Sequence, residues 1–215
     1  MTKVAILGSG VVGDTLAKGF LADGHQVMRG TRDPAKLAAW QQAAGDAATV
    51  GTFEDAARWG ELVVLAVKGT AAAECVNLAG ATNLAGKTVI DATNPIADAA
   101  PTGGVLAFFT GPNESLMERL IAAAPDANFV KAFSCVGSGN MIRPDFGGVR
   151  PTMFIAGASD GAKAEVTALL DTWGWDTADM GGPAAARAIE PLCMLWCIPG
   201  LQKGQWTHAF KLLTR

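Results

Sequence analysis

Short apolar runs alternate along the chain with longer stretches in which apolar residues recur at helical spacing. Lys3–Leu7 reads as a strand, and Val11–Ala22 as a helix ending near Asp23-Gly24. Gln26–Gly30 is a second strand. Asp33-Pro34 opens a helix that reaches Ala44, with Asp33 as N-cap and Pro34 at the first helical position. A short strand is expected around Thr49-Val50. Leu62–Val67 is a continuous apolar run, the pattern of a strand buried on both faces. Thr70–Ala79 reads as helix, and Thr88–Ala92 as a strand ending in Thr93-Asn94-Pro95. Residues 95–112 are rich in Pro and Gly and read as loop. Asn113–Ala124 is a helix with Glu114 in its first turn, and Asn128–Phe133 a strand followed by a glycine-rich loop from Gly137 to Gly148. Thr152–Ala156, Asp160–Trp173 and Asp176–Asp179 give strand, helix, strand. Pro183 starts a long last helix, expected to break near Pro199-Gly200, before a tail through Arg215.

Strand–helix alternation at this spacing implies an α/β architecture, a parallel sheet covered on both faces. The chain of 215 residues is expected to be one domain. A nucleotide-binding core would occupy about 1–150, with C-terminal strands and helices over about 151–215. With 50% apolar and 17% charged residues and a net charge of −3, the composition argues against disorder. It also argues against general nucleic-acid binding, which needs a basic excess. No basic leader is expected, and no run of the roughly 18 apolar residues that a spanning helix needs. A cytoplasmic, membrane-free location with reduced thiols follows as an expectation.

Missing residue types narrow the chemistry. The sequence has no tyrosine, which closes any mechanism with a Tyr acid. Its two histidines, His25 and His208, and its cysteines Cys75, Cys135, Cys193 and Cys197 form no C-x-x-C pair, and no metal site is expected. Cys193 and Cys197, four apart in an apolar stretch, read as buried thiols.

Gly8-Ser9-Gly10-Val11-Val12-Gly13 is a G-x-G-x-x-G motif placed between the first strand and the first helix. In that context Gly8 permits the tight turn, Gly10 lets backbone approach a pyrophosphate, and Gly13 lets helix and strand pack closely. The pyrophosphate sits on the unpaired N–H groups at the helix N-terminus. The fold expected is therefore a Rossmann-type, doubly wound, mostly parallel sheet with a small C-terminal helical extension.

The end of the second strand selects the cofactor. Thr31, Arg32 and Lys36 can surround a ribose phosphate, and Arg32 can bind it through two donors. Asp33 is the competing candidate, as a ribose acid. NADP(H) is the cofactor expected. The remaining strand ends supply Val67-Lys68, Asn94-Pro95 and Ala132-Phe133-Ser134 to the nicotinamide crevice. They contain no His and no carboxylate pair, so no catalytic acid–base residue is expected. A hydride acceptor that is itself a redox ring suits such a site, because stacking needs little beyond positioning. Glu190–Trp196 offers soft and flat groups, Met194 and Trp196, that could cover a ring. Beyond Gly181 the cations Arg187, Lys203, Lys211 and Arg215 face one acid, Glu190, so an anionic acceptor is expected to lie along this segment.

The chain resembles the NADPH-dependent coenzyme F420 reductases, or F420:NADP oxidoreductases, over nearly its whole length. The resemblance is carried by Gly8–Gly13, Gly30-Thr31-Arg32 with Lys36, Asp91–Pro95, Val130–Phe133, Ala156-Gly157, Arg187, Glu190-Pro191, Leu195-Trp196 and Ala209–Leu213. It departs at Ser134, where an Asn is expected after Lys131-Ala132-Phe133. The resemblance implies hydride exchange between NADP(H) and a deazaflavin stacked on its nicotinamide, a small-molecule redox co-substrate, and a homodimer. Two alternatives stand beside it. One is an NADPH-dependent reductase of FMN or FAD, passing electrons to ferric iron. The other is a non-catalytic NADPH-binding sensor.

Overall fold

The computed structural model describes residues 1–214. Strand β1 (Lys3–Leu7) leads through helix α1 (Val11–Ala22) to β2 (Gln26–Gly30). A 3-10 turn at Pro34–Leu37 and α2 (Ala38–Ala44) precede β3 (Ala48–Gly51). Asp33 holds the N-cap position of that turn, but its side chain makes no capping bond and lies 3.6 Å from Lys36 Nζ instead. Helix α3 (Phe53–Trp59), absent from the sequence reading, follows. Its start is fixed by a capping box in which Thr52 Oγ1 accepts from Asp55 N and Asp55 accepts from Thr52 N. Then come β4 (Leu62–Leu65), α4 (Ala72–Ala79), the short α5 (Ala81–Leu84) and β5 (Thr88–Asp91).

Helix α6 (Leu116–Ala123) starts later than Asn113 because Ser115 and Glu118 form the capping box that sets its first turn. Strands β6 (Asn128–Lys131) and β7 (Thr152–Gly157), helix α7 (Asp160–Thr172) and β8 (Asp176–Asp179) complete the sheet. The chain closes with a 3-10 turn at Pro183–Ala185, α8 (Ala186–Ile189) and α9 (Pro191–Lys203). The expected break at Pro199-Gly200 does not occur. Gly200 is the seat of Trp206, whose ring carbon would lie 2.3 Å from a Cβ there, and the helix ends at left-handed Gly204.

The strands form one eight-stranded sheet in the order β3-β2-β1-β4-β5-β6-β7-β8. Every pairing is parallel except β6 with β7, which is antiparallel. Two-residue alternation sends Val4, Ile6 and Val64 to the face covered by α1 and α7, where they meet Leu16, Phe20, Val166 and Leu170. Ala5, Leu7, Val63 and Leu65 turn to the opposite face, against Phe53, Ala56, Val76 and Leu120. This two-sided burial explains the uninterrupted apolar run of β4. The sheet reverses its strand order between β1 and β4, and the crevice at their C-terminal ends is the place where such sheets bind ligands.

The stretch Pro183–Lys203 is long and apolar enough, by length and composition, to cross a membrane, with a hydropathy of 1.2. That corrects the expectation of no such run. Here Cys193, Trp196 and Gly200 pack against the rest of the chain, and Glu190 is buried within it.

Candidate functional site

The glycine loop owes its shape to contacts no other residue would allow. Gly8 has φ of +149°, and a Cβ on it would lie 2.2 Å from the Ala66 carbonyl oxygen. Gly13 lets α1 press onto the loop, since a Cβ there would come within 2.8 Å of Gly8 O. Gly10 is different. It is the N-cap of α1 with an ordinary φ of −79°, no side chain caps the helix, and a Cβ would meet nothing within 4 Å. The space above Gly10 and the helix N-terminus is open, as a pyrophosphate requires. Ser9 and Gly10 line this space, whereas Val11 is exposed beside it and Val12 packs partly against the core.

Sequence reasoning passed over Arg29, the residue that braces the loop. Its side chain is 2% exposed. Nη2 donates to Gly8 O at 3.3 Å and Gly10 O at 3.1 Å, and Nη1 to Asp14 Oδ1 at 3.3 Å. The guanidinium lies 4.9 Å from the Trp40 ring centroid. Burial lowers its pKa and the Asp14 carboxylate opposes that shift. The signal was present in the sequence: a charge inside an apolar strand must find partners.

A cleft of about 240 Å³ extends from the loop across the ends of β2 and β4. Thr31, Arg32, Asp33 and Lys36 line one side, and Val67, Lys68, Glu74, Cys75 and Leu78 the other. Arg32 and Lys36 are exposed, each in a loose surface ion pair that leaves room to turn toward an anion. Arg32 lies 4.0 Å from Glu74, a contact across the cleft that the sequence did not reveal. Lys68 is paired with Asp98 at the surface. Cys75 is buried, which pushes its thiol up to about 12 and leaves it unreactive.

Beyond the cleft, β5 and β6 end side by side. Asn94 Nδ2 donates to Ser134 O at 2.8 Å, so the two strand ends are tied together. Asn94 Oδ1 and Ser134 Oγ are buried there without a hydrogen-bond partner. Orphaned polar atoms at a strand end are a cost that a ligand can relieve. Pro95 is buried next to them. Ala132 and Phe133, expected to line the crevice, have their side chains in the hydrophobic core instead. Phe133 adopts φ of +59° and packs its ring against Trp173, and this left-handed turn ends the strand direction just before Ser134.

The sequence reading of the C-terminal segment requires correction. Trp196 does not offer a free face. It stacks on His208 at 4.9 Å, donates from Nε1 to His208 O at 2.8 Å, and covers Gly137. Met194 lines a separate cavity with Phe108 and Pro191. The positive residues are largely committed, Arg187 to Glu118 and Lys211 to Asp176. Lys203 remains exposed, and Arg215 lies outside the described residues. His25 is structural, its Nδ1 accepting from Thr2 N at 3.1 Å. Among the described residues no group of three His, Cys, Asp or Glu side chains is placed to hold a metal ion.

Comparison with known proteins follows the same lines. Residues 3–95 match the family described as NADP oxidoreductase, coenzyme F420-dependent. A solved structure from Arthrobacter sp. FB24, named as a candidate F420-dependent NADP-reductase, is 34% identical, covers 100% of both chains and superposes with a TM-score of 0.91. The metalloreductase STEAP3 of Rattus norvegicus is 30% identical over 93% of this chain, which spans only 38% of that protein. An imine reductase of Streptomyces aurantiacus shares the fold at 19% identity and TM-score 0.65, over 90% of this chain and 60% of its own. With its G-x-G-x-x-G loop between β1 and α1 and end-to-end likeness to the Arthrobacter protein, this chain belongs to the coenzyme F420-dependent NADP oxidoreductase family.

Proposed function

We propose that the chain transfers a hydride between NADP(H) and a deazaflavin of the coenzyme F420 type, ring against ring. The carrying observation is the cleft that runs from the open helix N-terminus at Gly10 to the paired cations Arg32 and Lys36. The nicotinamide would give the hydride as NADPH or accept it as NADP+. The protein binds and orients. The Ser9-Gly10 backbone takes the pyrophosphate, Thr31, Arg32 and Lys36 take the ribose phosphate, and Asn94 with Ser134 faces the nicotinamide amide. Lys68 is paired with Asp98 at the surface and His208 is stacked on Trp196, so neither is assigned the role of proton donor. Hydride transfer to a ring acceptor needs none.

A second reading is favoured by the likeness to a metalloreductase: NADPH-dependent reduction of a flavin, with electrons passed on to ferric iron. Anaerobic mixing of protein and NADPH with a deazaflavin, FMN or FAD in parallel separates the two. Loss of NADPH absorbance with the deazaflavin alone supports the first reading. Loss with FMN or FAD alone replaces it by the second. Bound NADPH that no ring oxidises leaves a sensor.

A further inference from the structure

Three ionisable side chains meet in the interior, beyond the cleft. Lys131 Nζ lies 2.6 Å from Asp91 Oδ2 and 2.8 Å from Glu190 Oε1, and all three side chains are buried. Burial alone would lower the Lys131 pKa, but the two carboxylates outweigh it and hold it above the ordinary lysine value. Glu190 reaches the cluster from the junction of α8 and α9. It also accepts from the backbone N–H of Leu116 at 2.9 Å and of Met117 at 3.0 Å, so it covers the N-terminus of α6. Buried ion clusters contribute little net stability against apolar packing of the same volume. What this one does is fix position.

Its grip falls on Thr93. Lys131 Nζ donates to Thr93 O at 2.9 Å. Asp91 Oδ1 accepts from Thr93 N at 2.9 Å and from Thr93 Oγ1 at 2.6 Å. The next residue, Asn94, carries one of the two orphaned atoms at the crevice and holds Ser134, which carries the other.

We propose that Glu190 is a positioning residue for the nicotinamide end of NADP(H). It acts through Lys131 and Thr93 to set where Asn94 Oδ1 and Ser134 Oγ present themselves to the carboxamide. The C-terminal segment thereby acts on the crevice through the interior of the fold. The inference rests on the reading of that crevice as the NADP(H) site.

The test titrates two ligands, intact NADPH and the adenosine bisphosphate half of the cofactor, against wild type, Glu190→Gln and Thr93→Val. Thr93→Val keeps shape and loses only the hydroxyl on Asp91, so it remains informative if Glu190→Gln fails to fold. NADPH should bind Glu190→Gln about tenfold more weakly, the scale of one hydrogen bond, and Thr93→Val several-fold more weakly. The adenosine half should bind all three alike. Emission of the bound reduced nicotinamide should move toward that of free NADPH in both variants. Equal weakening of both ligands, or weakening of neither, overturns the proposal while the cofactor reading survives. Wild-type protein that binds neither ligand sinks the cofactor reading and the proposal together.

Discussion

Arg29 Nη2 donates to the carbonyl of Gly10 at 3.1 Å, so the second strand holds the loop that opens the first helix. The same nitrogen holds Gly8 O, and Nη1 reaches Asp14 one turn into α1. One side chain therefore fixes the turn, the N-cap and the first helical turn, the three parts that a phosphate-binding loop must hold in register.

Replacing Arg29 by Met should cost about 2–4 kcal/mol, because Asp14 and two carbonyls lose a charged donor inside the protein. Urea midpoints measure that loss. NADPH titration under conditions where the variant is folded should show weakened binding as well. Unchanged stability would mean that water replaces the guanidinium without loss.

Gly8 and Gly10 should respond in opposite ways. Gly8→Ala forces a Cβ against Ala66 O in a backbone conformation that L residues avoid, and should destabilise the fold by at least about 2 kcal/mol. A Cβ at Gly10 meets no atom within 4 Å, so the melting temperature of Gly10→Val should stay near wild type while NADPH binding is lost. Near-native NADPH affinity in Gly10→Val would remove the pyrophosphate from this loop.

Arg32→Ala should weaken NADPH about tenfold to a hundredfold, the scale of a charge-assisted hydrogen bond to phosphate, and NADH by no more than about twofold. Both affinities can be read by fluorescence titration. Equal losses would show that Arg32 does not touch a ribose phosphate.

The Arg187 guanidinium, with Ser115, pulls the Glu118 carboxyl down from 4.5 to about 2. A carboxyl depressed in the folded state contributes stability above its unfolded pKa, and that contribution disappears as pH falls from about 4.5 to about 2. Wild-type unfolding midpoints should therefore fall through this window more steeply than those of Glu118→Gln. Parallel curves for the two proteins would remove this pair from the acid response.

Much of the fold was legible because periodicity and burial agree. The strands Lys3–Leu7, Gln26–Gly30 and Asp176–Asp179 have the bounds that their patterns predicted. The helix Phe53–Trp59 was not legible. Its seven residues span barely two turns, and the Thr52–Asp55 capping box that marks its start was overlooked. Pro199-Gly200 misled in the other direction. A glycine that looks like a helix breaker is needed there for the close approach of Trp206, a contact set by the tail and invisible to local propensity.

What the sequence by itself determined was the doubly wound sheet and the glycine loop between β1 and α1, since both are local patterns of spacing and glycine conformation. The placement of Thr31, Arg32 and Lys36 beside the cleft was readable for the same reason: they follow directly on a strand whose end the fold rule places at the crevice. Only the tertiary structure decided what Arg29, Lys131 and Glu190 do. A buried charge is defined by its partners, and these come from residues 15 to 74 positions away. Only the tertiary structure, too, turned Phe133 inward and left Asn94 Oδ1 and Ser134 Oγ buried without hydrogen-bond partners. Side-chain direction at a strand end depends on the backbone turn that follows and on the neighbour it packs against, and neither is written in the spacing of residues along one strand.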